Sequence, residues 1–235
     1  MITVLVPAFN EEKLIRDCLE SLIAQQPQPD EILVVDNNST DATADIVRKV
    51  IAENPNANIN LITETKQGCV FARETGWRAA QGDVIVHVDS DETFPPGWIA
   101  KIHEILRQKP DIGAFGGVIR FPNAPFLIWL SQVIYNRFYP YALQWQRGFP
   151  YLCGGMTVIK REVLEKIDGY KNKPDNQLDD YYLASKTHEL GYETYYTPNL
   201  WVWHSLRRYE QGGLKAFFQW GVAALDADLY EDAAR

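Results

Sequence analysis

Two carboxylates, Asp89 and Asp91, close an apolar run in the segment VHVDSDETF (87–95). Asp is a poor strand former. Two like charges a few ångströms apart repel unless a cation or a hydrogen-bond network holds them. The pair therefore reads either as a polar loop whose Asp caps the next helix or as a divalent-cation site. A second acid pair, Asp179–Asp180, lies near the start of a later helical stretch, where the helix dipole stabilises acids by about 0.3–1 kcal/mol.

The elements around these acids decide between the readings. ITVLVP is a short buried strand, followed by a helix over 11–25 with Leu14, Ile15, Cys18, Leu19, Leu22 and Ile23 at helical spacing. EILVVD is a second apolar strand, and Ser39, Thr40 or Asp41 caps the next helix. ANINLIT, a helix over 69–80 and the strand GDVIVHVD complete an alternation over 1–91. Continuous apolar strands of this kind belong to a parallel sheet covered by helices on both faces. Its ligands bind beyond the carboxyl ends of the strands. PAFNEE, DNNSTD and DSDE follow the first, second and fourth strands, so polar groups gather at one edge. That grouping favours a site over isolated caps.

Beyond Asp91 the pattern predicts a proline-opened helix at PPGWIAKIHEILRQ and a strand at IGAFGGVIRF, whose glycines mark a bulge or close backbone approach. An aromatic helix over 125–139, a strand at YLCGGMTVIK and a short helix ending at Gly169 come next. A helix over 177–190, one or two strands in 192–205 and a last helix with Leu214, Phe218, Leu225 and Leu229 on one face complete the chain. One continuous domain over 1–235 is expected.

The chain has 235 residues and a net charge of −8, which argues against nucleic-acid binding. Cys18, Cys69 and Cys153 match no zinc spacing or complete disulfide set, Cys18 reads as core, and a reducing compartment is expected. With the first strand beginning at Ile2, no signal peptide is expected. FLIWLSQVIY (126–135) is about half the length needed to span a bilayer. A soluble or peripheral, cytoplasmic protein is expected, with the inner face of a membrane as one location.

VPAFNEE, VVDNNSTDAT, KQGCVFARETGWRAAQGDVIVHVDSD, CGGMTVIKREVLEKIDGY and LDDYYLASKTHELGYE occur in this order and at fitting spacings. Together they resemble the family-2 glycosyltransferases, inverting enzymes of the GT-A fold, over roughly residues 1–210. The resemblance implies an α/β, Rossmann-like, mostly parallel sheet flanked by helices, with a nucleotide-sugar half (1–91) and a mixed acceptor half (92–235).

It also implies roles. Pro7, Ala8, Phe9 and Glu12 form a nucleotide wall, with Asp36 and Asn37 near the base. Asn37 stands where many members have Asp, which leaves both a UDP-sugar, the favoured donor, and a GDP-sugar open. Arg73 approaches the nucleotide, since a guanidinium suits a phosphate or base edge; the alternative is a surface ion pair with Glu74 or Asp41. Asp91 ligates Mg²⁺ or Mn²⁺ on the donor diphosphate, and Asp89 holds the ribose or shares the metal. His204 completes the metal shell or is structural. Arg207 and Arg208 meet the diphosphate or form a basic turn. Asp180 is the general base, with Asp179 beside it.

Trp98, Trp129, Trp145, Trp201, Trp203 and the tyrosines near 135–151 either line an acceptor wall, for a carbohydrate or lipid-linked acceptor, or fill the core. The segment 125–141, bracketed by Arg120 and Arg137, alternatively touches a membrane surface. Two other functions stay open. One is a sugar-1-phosphate nucleotidyltransferase, disfavoured because no Gly-rich nucleotide loop with a basic residue stands near the N-terminus. The other is a noncatalytic sugar-nucleotide scaffold.

Overall fold

The computed structural model describes residues 1–122, 124–150, 152, 155–173 and 178–207. The first half alternates β1 (Ile2–Ala8), α1 (Ile15–Ile23), β2 (Glu31–Asp36), α2 (Thr43–Glu53), β3 (Ile59–Thr63), α3 (Cys69–Ala79) and β4 (Val84–Val88). The second half adds β5 (Glu92–Thr93), α4 (Trp98–Gln108), β6 (Ile112–Arg120), α5 (Phe126–Arg147), β7 (Met156–Lys160), α6 (Arg161–Ile167), α7 (Asp179–Glu189) and β8 (Glu193–His204).

Among the described residues all eight strands join one sheet, in the order β3-β2-β1-β4-β7-β6-β8-β5. The pairs among β3, β2, β1 and β4 are parallel. β7 is antiparallel to both β4 and β6, whereas β8 is parallel to β6. This is the expected α/β sheet, parallel at one end and mixed at the other. Its strands alternate between two cores. Val4, Val6, Val34 and Val86 pack with α1, α2 and α4; Leu5, Leu33, Val35 and Ile85 pack with α3, α6 and α7. Burial of both faces explains the continuous apolar runs.

The strand over 112–120 carries register shifts at Gly113 and Gly117 against β8. A Cβ on Gly117 would lie 2.1 Å from the Leu200 carbonyl oxygen, so the expected close approach is met. Several boundaries differ from expectation, the first helix spanning Ile15–Ile23 rather than 11–25. The helix predicted over 177–190 begins at Asp179. The helix expected over 125–139 runs to Arg147, through Pro140. A proline in a helix leaves the carbonyl four residues earlier without its N–H donor. Here that carbonyl belongs to Asn136, and the Tyr196 hydroxyl donates to it at 3.0 Å. The N-cap of α2 is Ala42, and Asp41 just before it accepts the Thr43 N–H with Oδ1 at 2.9 Å. The predicted last helix and Cys153 lie outside the described residues.

His87, in the middle of β4, is buried, with Nδ1 3.2 Å from the Tyr170 hydroxyl. Burial, and then the Arg73 guanidinium, lower its pKa from 6.5 to about 3. Between those values the unfolded chain binds a proton that the folded chain refuses. The stability contribution is therefore full above about pH 6.5 and is lost as pH falls toward 3, at up to about 1.4 kcal/mol per pH unit. The urea midpoint is expected to fall between about pH 7 and about pH 5, and to fall less in His87→Gln. Equal slopes in the two proteins would remove His87 as the cause.

Candidate active site

Because β6 and β8 run in the same direction as β4, the carboxyl ends of β1, β2, β4, β6 and β8 share one edge. The pairing of Glu92 with His204 sets the end of β8 beside the acids that follow β4. His204 Nε2 lies 3.4 Å from Asp91 Oδ1 and 3.8 Å from Asp89 Oδ2. One ligand atom from each of Asp89, Asp91 and His204 falls within 4.8 Å of the others. Burial works against protonating His204, but the hydrogen bond and charge of Asp89, with Asp91, outweigh it and raise its pKa. Two converging carboxylates and one imidazole are a donor set that fits a divalent cation. The oxygens suit Mg²⁺ or Mn²⁺, and the nitrogen favours the softer Mn²⁺.

Arg207 and three side chains that the sequence did not single out, Ser205, Glu92 and Glu11, hold this cluster. The Ser205 hydroxyl donates to Asp91 Oδ2 at 2.7 Å, and its N–H to the Asp91 carbonyl at 3.1 Å. Arg207 forms a two-pronged pair with Glu11, at 2.8 and 2.6 Å, and its Nη2 is 3.9 Å from Asp91 Oδ2. Glu92 is fully buried, and its Oε2 accepts the Asp89 N–H at 3.1 Å. Burial, then the neighbouring Asp89, push its carboxyl well above the usual range. A Cβ on Gly155 would sit 2.3 Å from Glu92 Oε1, so a side chain there would collide with the acid. The signal for Glu92 was its place in DSDE, and for Ser205 its place after His204. Glu11 stands in the FNEE loop. Arg208 lies outside the described residues.

Arg73 connects the two acid pairs. Its side chain is buried, with Nη2 3.1 Å from Asp89 Oδ1 and Nη1 2.8 Å from Asp179 Oδ2. The surface pair with Glu74 or Asp41 is thus not formed: α3 turns Arg73 inward, between β4 and α7. Lys173 Nζ approaches Asp179 Oδ1 at 3.4 Å, so both Asp179 oxygens face cations. Asp180 is buried, and its Oδ1 accepts the Tyr181 N–H at 2.8 Å. Removing one partner of a buried pair strands the other charge. Arg73→Ala is expected to cost about 3–5 kcal/mol in urea unfolding. A cost under about 1 kcal/mol would mean that solvent screens these pairs.

The loops after β1 and β2 are braced against each other. Asn10 N–H donates to Ser39 Oγ (3.0 Å), Glu11 N–H to Thr43 Oγ1 (2.7 Å) and Thr40 N–H to Asn10 Oδ1 (2.8 Å). Glu12 joins them, Oε2 accepting from Ala42 N–H at 3.2 Å. Pro7 and Ala8 are buried in β1, while Phe9 is 46% exposed beyond its end, so Phe9 is not core. Asp36 is buried, and its Oδ1 has no hydrogen-bond partner among the described residues. Asn37 spends its amide on the following loop: Nδ2 donates to the Glu64 and Lys66 carbonyls, and Oδ1 accepts from Gly68 N–H.

The aromatic residues divide. Trp98 is in the core and cannot line a cleft. Trp201 and Trp203 are half-buried, 4.7 Å apart near the end of β8, with Arg120 over the Trp201 ring at 4.4 Å. Trp129 and Trp145 stand exposed on α5.

A family profile described as "Glycosyl transferase family 2" matches residues 3–168. Among characterised and catalogued proteins, the chain is similar to the probable glycosyltransferase YdaM of Bacillus subtilis, at 30% identity over 86% of this chain and 50% of that protein. It is also similar to a dolichyl N-acetyl-alpha-D-glucosaminyl phosphate 3-beta-D-2,3-diacetamido-2,3-dideoxy-beta-D-glucuronosyltransferase of Methanococcus voltae, at 30% identity over 57% of this chain and 44% of the other. The chain thus spans about half the length of these relatives. Among solved structures, the mannosyltransferase PcManGT of Pyrobaculum calidifontis, bound to GDP-Man and Mn²⁺, superimposes with a TM-score of 0.71 at 25% identity, over 99% of this chain and 68% of that one. Glucosyl-3-phosphoglycerate synthase of Mycobacterium tuberculosis shares the fold, with a TM-score of 0.61 at 21% identity, over 97% of this chain and 78% of that one.

Proposed function

This chain belongs to glycosyl transferase family 2, and on that premise we propose that it moves a sugar from a nucleoside-diphosphate sugar to an acceptor hydroxyl, with inversion. The observation that carries the reading is the convergence of Asp89, Asp91 and His204 at the sheet edge, one guanidinium away from the acid pair that opens α7.

In this reading Asp36 accepts a base N–H through its unpartnered buried oxygen, and the exposed Phe9 ring covers the base. Asn37 acts through the loop it holds. Asp89, Asp91 and His204 hold Mg²⁺ or Mn²⁺, which when bound neutralises charge on the departing diphosphate. Arg207, whose Nη2 is 3.9 Å from Asp91 Oδ2, meets the diphosphate in this reading, and Arg208 is assigned the same role from the sequence. Asp180 takes the proton of the acceptor hydroxyl as the new bond forms at the anomeric carbon and the bond to the diphosphate breaks. Arg73 orients Asp89 and Asp179, so donor and acceptor acids keep a fixed separation. A UDP-sugar is the favoured donor; the GDP-Man bound to PcManGT keeps a GDP-sugar in view. The acceptor is a carbohydrate or a lipid-linked sugar, the latter class named for the Methanococcus relative.

Donor hydrolysis tests this. A panel of UDP- and GDP-sugars is incubated with the chain and Mn²⁺, and release of nucleoside diphosphate is followed. Slow release from one donor class, lost in chelator, is expected. Binding without release would mark a scaffold. Consumption of a nucleoside triphosphate with a sugar phosphate would mark a nucleotidyltransferase.

A further inference from the structure

All 31 Asp and Glu residues of this chain lie outside residues 112–161. That stretch carries Arg120, Arg137, Arg147, Lys160 and Arg161 within a chain of net charge −8. At its centre is α5, 22 residues long, or about 33 Å. The helix exposes large apolar side chains along its whole length: Phe126 at 69%, Trp129 at 51%, Ile134 at 52%, Phe138 at 65%, Tyr141 at 47% and Trp145 at 90%. At about 100° per residue these positions fall on one half of the helix, with the exposed Arg137 among them. Of the described side chains, Gln132 turns the other way and donates to the Ile119 carbonyl at 3.3 Å, while the buried Pro140 interrupts the exposed half near its edge. An ordinary surface helix has its apolar stripe facing the core.

We infer that α5 is an interfacial helix that lies flat on an anionic bilayer surface. The apolar half enters the acyl boundary, and the Trp and Tyr rings sit at headgroup level. Arg137 meets lipid phosphates, and no carboxylate of the stretch repels them. The helix does not cross: no helix among the described residues is long and apolar enough. A second copy on the same face would bring like arginines together across a two-fold axis, which disfavours that occupant. The Phe121 ring, just before α5, is 5.6 Å from the His204 ring, so the surface begins at the mouth of the site. A lipid-anchored acceptor would then arrive in the plane of α5. That last step rests on the transferase reading; vesicle binding, read without donor or acceptor, does not.

The full chain is floated with phosphatidylcholine vesicles and with vesicles containing about 30% phosphatidylglycerol, at low and high salt. Binding to the anionic vesicles is expected to be at least about tenfold tighter, weaker in salt, and accompanied by a blue shift of tryptophan emission. Phe126→Ser combined with Phe138→Ser should weaken it at least about tenfold; Arg137→Glu should reduce the preference for anionic lipid. Unchanged circular dichroism and melting show that the variants fold. If the full chain binds neither vesicle, because residues 208–235 or a second copy cover the stripe, the inference is wrong. A concentration-dependent dimer in sedimentation velocity would identify the second copy. Wild-type binding by the double Phe variant would equally overturn it.

Discussion

Asp180→Asn lowers the sugar-transfer rate by at least about 10²-fold and leaves donor affinity within roughly threefold. Asn keeps the shape of the side chain and removes its ability to take a proton. General-base catalysis contributes about 10²–10⁴-fold, and the loss appears in the chemical step rather than in donor binding. The choice between the two acids rests on what each already holds. Both oxygens of Asp179 face cations, Arg73 at 2.8 Å and Lys173 at 3.4 Å. Asp179 is thereby engaged in anchoring Arg73 and Lys173. Adjacent helical residues point about 100° apart, so only one of the pair faces an acceptor. Asp179→Asn is expected to cost less in rate and more in stability, because it weakens the anchor of Arg73. The check is a transfer assay on both variants beside calorimetric titration of the donor. Near wild-type transfer by Asp180→Asn with a dead Asp179→Asn moves the base by one residue. Activity in both returns the pair to a helix-capping role.

The fold was legible where local pattern and tertiary burial agree. Apolar runs of five to seven residues, such as Ile2–Ala8 and Val84–Val88, are buried on both faces, and nothing competes with that reading. The α5 boundary was misread because Pro140 breaks a helix by local rules. Its rescue comes from Tyr196, sixty residues in sequence from the Asn136 carbonyl that it satisfies, and no local window contains that hydroxyl. The site divided in the same way. Asp89 and Asp91 were visible because two acids ending an apolar strand are locally anomalous. Arg73 was visible only as a cation; that it joins Asp89 to Asp179 depends on α3 and α7 meeting across β4. Glu92 was overlooked because the sequence does not reveal that a third acid beside the pair is fully buried. Trp98 takes the second of its two readings, since an indole suited to stacking on a sugar is equally suited to filling a core.

Asp91→Ala abolishes turnover and closes most of the gap between nucleoside-diphosphate affinity with and without Mn²⁺. The side chain is only 6% exposed and meets three groups: His204 at 3.4 Å, Ser205 at 2.7 Å and Arg207 at 3.9 Å. Its removal takes away one of the three convergent ligand atoms and leaves His204 with Asp89 alone. Metal neutralisation of a leaving diphosphate is worth several kcal/mol, so a loss of more than about 10²-fold is expected. Ser205→Ala removes one hydrogen bond to the same carboxylate and should be milder, about 10–100-fold at most, as for other groups that orient a metal ligand. The decisive feature is non-additivity. Chelator should bring the wild-type rate down to that of Asp91→Ala and should change the variant little, because both remove the same cation. Full wild-type activity in excess chelator would dispose of the metal site. A variant that chelator still slows by a further large factor would show that Asp89 and His204 hold the cation without Asp91.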